Sequence, residues 1–391
     1  MRDLVTVFKK KNFYLTGIFP KKNQKILKTP FEVVFSKSSK LLQLKHNYNQ
    51  KFLYGKNYGY RSGLNPIMIK HLKEKYFQIN KRLNLKKKDK FLDIGSNDST
   101  FLNFSNCEKY GVDPSIEKYL SHYKKETYVY IDTFEEAFKK LKHKKFKLIS
   151  SIAMFYDLPD PLSFLKKIEL ILSKDGIYHL EVANVLSLID NFSYDTFCHE
   201  HFEFYSLSSL EFLVKKTNLR IKDFGFNNIN GGSIWLDIVH KDSRFKLQKR
   251  KISNFIAYEK KRGLHDVLTY RNFFKKVNKH SRKLYQLILN LKRKNKKIAG
   301  IGASTKGNVL LQFCNIDNKQ IDYIYDVNPF KFDKYTPGSN IQIKDESKMM
   351  LKNYDYILNL IWHFNKFIIQ KIRKKNKKIK IISPFPKIQI F

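Results

Sequence analysis

The apolar pattern of this chain changes period several times. Short apolar runs that read as strands alternate with stretches of 3.6-residue spacing that read as helices. Phe91, Leu92 and Ile94 predict a strand, followed by a helix from about Ser99 and a second strand in YGVDPS, residues 110–115. Residues 146–156 (FKLISSIAMFY) and 176–184 (GIYHLEVAN) predict two more strands, and between them Leu162, Leu165, Ile168 and Leu172 share a helical face. Alternation of this kind predicts a doubly wound parallel sheet, whose ligands sit at the carboxyl ends of the strands. Residues 207–240 predict a helix, a strand, a glycine turn and a strand, so the sheet ends in a hairpin. After Lys241 the pattern is helical and charged; Leu284, Leu287, Ile288 and Leu291 recur at i, i+3, i+4, i+7 and predict a helical connector. From Lys296 a second strand–turn–helix begins (KKIAGIGASTKGNVLLQFCN), with later strands ending in Asp326 and spanning 354–362. The fold class is α/β, with two Rossmann-like units.

Composition narrows this. The 391 residues leave room for two or three domains of roughly 100–200 residues. With 42% apolar and 15% aromatic residues, a large core can be buried. No apolar run reaches the ~18 residues of a membrane span, and the N-terminus lacks a signal-peptide pattern. The three cysteines, Cys107, Cys198 and Cys314, form no C-x-x-C. The expectation is a soluble, cytoplasmic protein. The net charge of +41 suggests nucleic acid. Yet only 11 of the 76 basic residues are Arg, the better reader of bases and phosphates, and the lysines are scattered through every segment. Lys, Asn, Ile, Phe and Tyr together form the residue set of AT-rich codons. A solvated basic surface without a specific nucleic-acid partner is therefore expected.

Glycine is scarce at 15 residues, and its positions cluster. One cluster sits in FLDIGSND. The strand, the turn Gly95-Ser96-Asn97-Asp98 and the second strand ending in Asp113 describe a nucleoside-binding βαβ unit, with the terminal acid placed for ribose hydroxyls. The G-x-G-x-x-G loop of dinucleotide sites is absent, and Asp93 and Asp98 put negative charge beside the turn. That suits a cationic, amino-acid-bearing nucleoside such as S-adenosylmethionine (SAM). The second cluster, Gly300, Gly302 and Gly307, places Ser304, Thr305 and Lys306 at a helix N-terminus, a cradle for phosphate. Without its own acidic loop, this half is expected to take a nucleotide substrate, with Asn308 and Asp326 beside Gly302, Ser304 and Lys306.

The segments YGYRSGLN, FLDIGSNDSTFL, GVDPS, YDTFCHEHFEFYSL, NGGSIWL, GIGASTKGNVLL, YDVNPFKFDKYTPGSNIQI and ISPFPKIQI occur in this order along nearly the whole chain. Together they resemble the SAM-dependent sugar C-methyltransferases that act on nucleotide-activated keto-deoxyhexoses. The resemblance implies a zinc-binding N-terminal module (1–66), a class I methyltransferase domain (67–246), and a helical connector with a C-terminal Rossmann-like domain that binds the nucleotide sugar (247–391). The chain departs from the family at its N-terminus. Ser36 and Ser39 stand where a second cysteine pair is expected and the first pair is missing, so a bound zinc is not expected. Cys198 replaces a tyrosine that often precedes the H-E-H, which leaves Tyr58, Tyr60 or Tyr205 to supply a phenol.

His199-Glu200-His201 admits three readings: a metal site, an acid/base group or a polar patch. A metal would need more ligands, and no third His lies nearby in sequence. If the stretch is extended, His199 and His201 face one side and Glu200 the other. Methylating carbon beside a ketone requires a base to form an enolate and a donor for its oxygen. The resemblance implies His201 as base, Glu200 as its orienting partner or a second acid/base, and Tyr58 or Tyr60 on the oxyanion side; His199 is the alternative base. Two other classes stay open: a nucleotide-sugar-binding relative without methyl transfer, and a basic RNA or DNA methyltransferase. The particular sugar and the oligomeric state are not legible.

Overall fold

The computed structural model describes residues 3–48 and 60–391. Its strands fall into three sheets, and every predicted strand region contains one.

The first sheet is built from β1 (Leu4–Tyr14), β2 (Lys28–Ser36) and β3 (Leu42–Leu44), all antiparallel. Its fourth strand comes from far along the chain. After α1 (Pro66–Leu83) the central sheet begins with β4 (Lys90–Ile94), β5 (Glu108–Val112) and β6 (Tyr128–Tyr130). Then follow α2 (Phe134–Leu141), β7 (Phe146–Ile152), α3 (Pro161–Ile171), β8 (Leu172–Ala183) and α4 (Val185–Asp190). Next, β9 (Glu203–Phe204) returns to pair with β3 in the first sheet. Thus the segment that carries the two histidines ends inside the N-terminal sheet. After α5 (Leu207–Val214), β10 (Leu219–Asn227) and β11 (Ser233–His240) complete the central sheet in the order β10-β11-β8-β7-β4-β5-β6. The strands β8, β7, β4, β5 and β6 are parallel, whereas β11 runs antiparallel to both its neighbours. This is the class I methyltransferase order, with the expected terminal hairpin.

Helix α6 (Lys249–Lys261) leads to α7 (Val267–Arg293), the predicted connector. Asp266 caps α7 by accepting from the Leu268 N–H. Its buried stripe of Phe273, Phe274, Val277, Leu284 and Ile288 faces both ends of the chain. Phe8 of β1 stacks on Phe274 at 4.3 Å. Each such fully buried side chain contributes roughly 1.5–3 kcal/mol. The last sheet uses β12 (Ile298–Ile301), β13 (Ile324–Asp326), β14 (Ile343–Asp345), β15 (Tyr356–Asn359), β16 (Lys380–Ser383) and β17 (Gln389–Ile390), with α8 (Thr305–Cys314) and α9 (Asn365–Lys375). Its order is β14-β13-β12-β15-β16-β17, parallel except for β17. Phe13 and Phe31 of the first sheet share one apolar cluster with Val309 and Leu310 of α8. No helix among the described residues is long and apolar enough to cross a membrane.

Two local expectations fail. The helix expected from Ser99 is only a 3₁₀ turn, Leu102–Phe104. Asn97 and Ser99 take positive φ (49° and 64°), and the Asp98 carboxylate captures the Thr100 hydroxyl at 2.6 Å, so the chain cannot enter a regular helix there. The H-E-H stretch is a turn and not an extended strand, so its side chains do not alternate.

At the N-terminus, Ser36 and Ser39 close a corner through hydrogen bonds. Ser36 Oγ and Ser38 Oγ donate to Asp3 at 2.5 and 2.9 Å, and Ser39 Oγ donates to Ser36 Oγ at 2.8 Å. At the two positions where cysteine ligands were considered, the Ser36 hydroxyl is thus taken by Asp3 and the Ser39 hydroxyl by Ser36.

Candidate active site

A cavity of about 750 Å³, within the range of small-molecule sites, lies at the carboxyl edge of the central sheet. Its walls draw on both Rossmann-like units: Gly95, Asn97, Asp113 and His201 from one side, Ser304 and Lys306 from the other.

On the cofactor side, Gly95 takes φ +78°, and a Cβ there would come within 2.9 Å of the Met154 side chain. Only glycine lets the turn after β4 pass so close. Asp113 organises this turn: one oxygen accepts from the Asn97 N–H at 3.0 Å, the other from the Ser115 N–H and hydroxyl at 2.7 and 2.6 Å. Asp93, at the end of β4, accepts from Ser150 Oγ at 2.5 Å. Burial, aided by the Asp113 charge, pushes Asp93 up to about 7. Burial also raises Asp113. Two desolvated carboxyls on one wall favour a cationic ligand. Glu181, on the same wall, would also be raised by burial. His71 at 2.7 Å and Lys75 at 3.2 Å outweigh that and lower it to about 2.

The other predicted acid of this turn lies elsewhere. Asp98 is not on the cavity wall: it pairs with Arg61 Nε at 3.1 Å and accepts from the Gly63 N–H at 2.9 Å, fastening to the turn the segment whose Ser62 lines the cavity. Tyr60 stands at the rim, and its carbonyl accepts from Asn97 Nδ2 at 3.2 Å. Tyr58 lies outside the described residues. Tyr205 is fully buried, off the wall, and its hydroxyl donates to Glu203.

The three residues of the H-E-H have three environments. His201 faces the cavity, and its Nδ1 lies 2.8 Å from the Thr196 carbonyl. A carbonyl can only accept, so Nδ1 carries the proton and Nε2 keeps its lone pair. Tyr156 packs edge-on against the ring at 4.4 Å. Burial and the nearby Lys306 charge outweigh the Thr196 bond and bring His201 down to about 4, so it is a neutral base at pH 7. The hydrogen bond that orients His201 is thus the one to Thr196. Glu200 reaches the wall but accepts from the Thr16 hydroxyl at 2.9 Å and from the Gly17 N–H. A Cβ at Gly17 would meet its carboxylate at 2.7 Å. His199 points away, into Phe13, Phe31 and Tyr48, with Nε2 2.9 Å from Thr29 Oγ1.

On the second side, the Ser304 hydroxyl caps α8 by accepting from the Gly307 N–H at 3.0 Å. Lys306 donates to the Asn230 carbonyl at 2.5 Å, and burial lowers its proton affinity despite the Asp195 charge. Asp195 accepts from Trp362 Nε1 at 2.7 Å, pinning the end of the last sheet to the histidine segment. The other predicted substrate residues do not line this cavity. Gly302 (φ +87°) lets the turn pack on Ile361. Asn308 donates to the Thr16 carbonyl at 2.7 Å. Asp326 accepts from the Asn328 N–H at 2.8 Å and pairs with Lys331 at 3.5 Å. Sequence reasoning missed Tyr156, Glu181, Asp195, Asn230 and His363. Tyr156, Glu181 and His363 follow or end strands of the two sheets, and that position was their only signal.

Residues 68–223 match the family described as methyltransferase domain, and residues 228–386 match the family described as C-methyltransferase C-terminal domain. The C-methyltransferase NovU of Streptomyces niveus is 26% identical over 354 residues, covering 87% of this chain and 82% of the relative. The chain is a SAM-dependent methyltransferase. Among solved structures, a SAM-dependent methyltransferase from Clostridium acetobutylicum is 14% identical (TM-score 0.34; 44% of this chain, 92% of that one). The plantazolicin methyltransferase BpumL, solved with S-adenosylhomocysteine, is 16% identical (TM-score 0.34; 44% and 84%).

Proposed function

We propose that this methyltransferase transfers the methyl group to carbon, next to the ketone of a nucleotide-activated keto-deoxysugar. One observation carries the reading: the free Nε2 lone pair of His201 shares a single cavity with the Gly95–Asn97 turn and with Lys306 of the second unit. A methyltransferase acting on oxygen or nitrogen can use the lone pair of its substrate. One acting on an unactivated C–H needs a base positioned at that carbon.

The residues present fit SAM. Asp113 is suited to the ribose hydroxyls, the backbone of Gly95–Asn97 to the methionine moiety, and the desolvated Asp93 to its positive charge. SAM, when bound, supplies an electrophilic methyl on a positively charged sulfur. His201 Nε2 removes the proton from the carbon alpha to the ketone, and the C–H electron pair becomes the enolate. With SAM bound, the enolate carbon would form the C–CH₃ bond as the S–CH₃ bond breaks and its electron pair stays on the now neutral sulfur; the imidazolium of His201 returns its proton to solvent. Lys306, Ser304 and Thr305, at the N-terminal end of α8, face the substrate diphosphate, where backbone N–H groups and a cation favour an anion. Gly302, Asn308 and Asp326 hold the shape of that turn and of the strand beside it. Glu200 fixes the histidine turn to Thr16 and Gly17. NovU, named a C-methyltransferase and matched over most of both chains, supports transfer to carbon.

The test is incubation with methyl-labelled SAM and a panel of nucleotide keto-sugars, with the product carbon located by NMR. A new C–CH₃ signal is expected. Tight sugar-nucleotide binding without transfer would instead favour a binding protein. Label in RNA or DNA at physiological salt would favour a nucleic-acid methyltransferase.

A further inference from the structure

His363 follows β15, the strand beside β12 in the last sheet, and lines the same cavity as His201 and Lys306. Its ring is held between neighbours, 5.9 Å from Trp362 at 90° and 4.3 Å from Phe364. Trp362 is itself tied to Asp195, so this turn is anchored to the segment that carries His201. The buried Nδ1 of His363 has no hydrogen-bond partner among the described residues.

That orphan decides the tautomer. A proton on Nδ1 would be a buried N–H with no acceptor among the described residues. A lone pair there is better tolerated, and Nε2 then carries the proton. Burial, reinforced by Lys306, keeps the ring neutral, with proton affinity down to about 3. His201 has the opposite arrangement: Nδ1–H goes to Thr196, and Nε2 is an acceptor. One histidine therefore offers the cavity a lone pair and the other offers it an N–H.

We propose that His363 donates a hydrogen bond from Nε2–H to the substrate carbonyl oxygen as it becomes an enolate, while His201 accepts the carbon-bound proton. This rests on the C-methylation reading above. The step balances without a further reactant. The C–H pair forms the C=C bond, the carbonyl π pair moves to oxygen, and the His363 proton stays on nitrogen. A neutral imidazole can polarise a carbonyl in this way. It also replaces the tyrosine donor expected from sequence with a residue of the second unit.

The experiment follows exchange of the alpha proton with D₂O, without SAM, for a nucleotide keto-sugar that the wild type exchanges. His363→Phe should slow exchange about 10²–10³-fold, the scale of one lost oxyanion donor, with SAM affinity and affinity for the plain nucleoside diphosphate unchanged. His363→Gln, whose amide can donate from a similar reach, should recover to within about tenfold of wild type. Exchange in His363→Phe as fast as wild type overturns the proposal. So does lost nucleoside-diphosphate affinity with exchange intact at saturation, which would make His363 a phosphate contact. Wild type that binds every sugar nucleotide of the panel but exchanges none overturns the C-methylation reading itself, and this proposal with it. ¹⁵N NMR of the unmutated protein gives a check independent of folding: the signal missing in His363→Gln must be an Nε2–H tautomer, and an Nδ1–H tautomer refutes the assignment.

Discussion

His199 gives the sharpest test of how the H-E-H is divided. It is fully buried among Phe13, Phe31 and Tyr48, with one hydrogen bond to Thr29, and burial lowers it to about 3. The unfolded chain protonates it near 6.5. Between about pH 3 and 6.5 the unfolded state therefore binds a proton that the native state refuses. Its contribution to stability is complete above 6.5 and falls as pH falls through that window. From pH 7 to pH 5 the loss is about 2 kcal/mol, from the unfolded-state titration at 1.36 kcal/mol per unit. Other groups act in the same window with both signs. Asp93, raised to about 7, gains stability as pH falls, while His201 and His363 behave like His199. The slope of the wild type alone therefore says little. The difference between wild type and His199→Phe isolates the group, because a phenyl ring fits the aromatic box and cannot titrate. Urea denaturation of both proteins at pH 7, 6 and 5 should show the variant losing about 2 kcal/mol less than wild type over that span. At pH 7 it should be destabilised by about 1 kcal/mol for the Thr29 bond. Equal pH dependence would mean that His199 is reached by solvent or protonated in the native state, and its exclusion from the cavity would be wrong.

Four further outcomes are expected. His201→Ala should cut turnover ~10²–10⁴-fold and abolish alpha-proton exchange while leaving SAM binding nearly intact; unchanged exchange would move the base elsewhere. Asp113→Ala should weaken SAM by roughly 1–3 kcal/mol in calorimetry, since it removes the proposed ribose acceptor and the bonds that hold the turn at Asn97 and Ser115. Elemental analysis should find no stoichiometric zinc, and Asp3→Ala should lower the melting temperature, because Asp3 joins Ser36 and Ser38 at the corner where cysteines were sought.

The features readable in the sequence were those set by local periodicity and backbone need. The alternating strands pointed to a doubly wound parallel sheet, scarce glycine marked the turns at Gly95 and Gly302, and the terminal hairpin followed from its glycine pair. What could not be read depends on partners distant in sequence. Asp98 looked like a cofactor acid, but Arg61, 37 residues earlier, takes it. The helix expected at Ser99 is undone by positive φ at two residues and by the same carboxylate. Asn308 sits in a plausible phosphate turn yet serves Thr16, 292 residues away. His363 left only its address, just past a strand that neighbours the glycine-turn strand.

Glu200 lines the cavity and is also held by residues far away in sequence. Its carboxylate is shared by Thr16 and Gly17 of the N-terminal module. The Thr16 carbonyl is in turn held by Asn308 of α8, and the Tyr14 N–H donates to Gln312 of the same helix at 2.9 Å. One short stretch, Tyr14 to Gly17, therefore binds the turn that carries His201 to the helix that carries Lys306. The close approach at Gly17, where a Cβ would collide with Glu200, makes that stretch specific. The N-terminal sheet thus has a structural task in this geometry. Through these hydrogen bonds it fixes the spacing between the turn of His201, the proposed base, and the helix of Lys306, the proposed substrate contact.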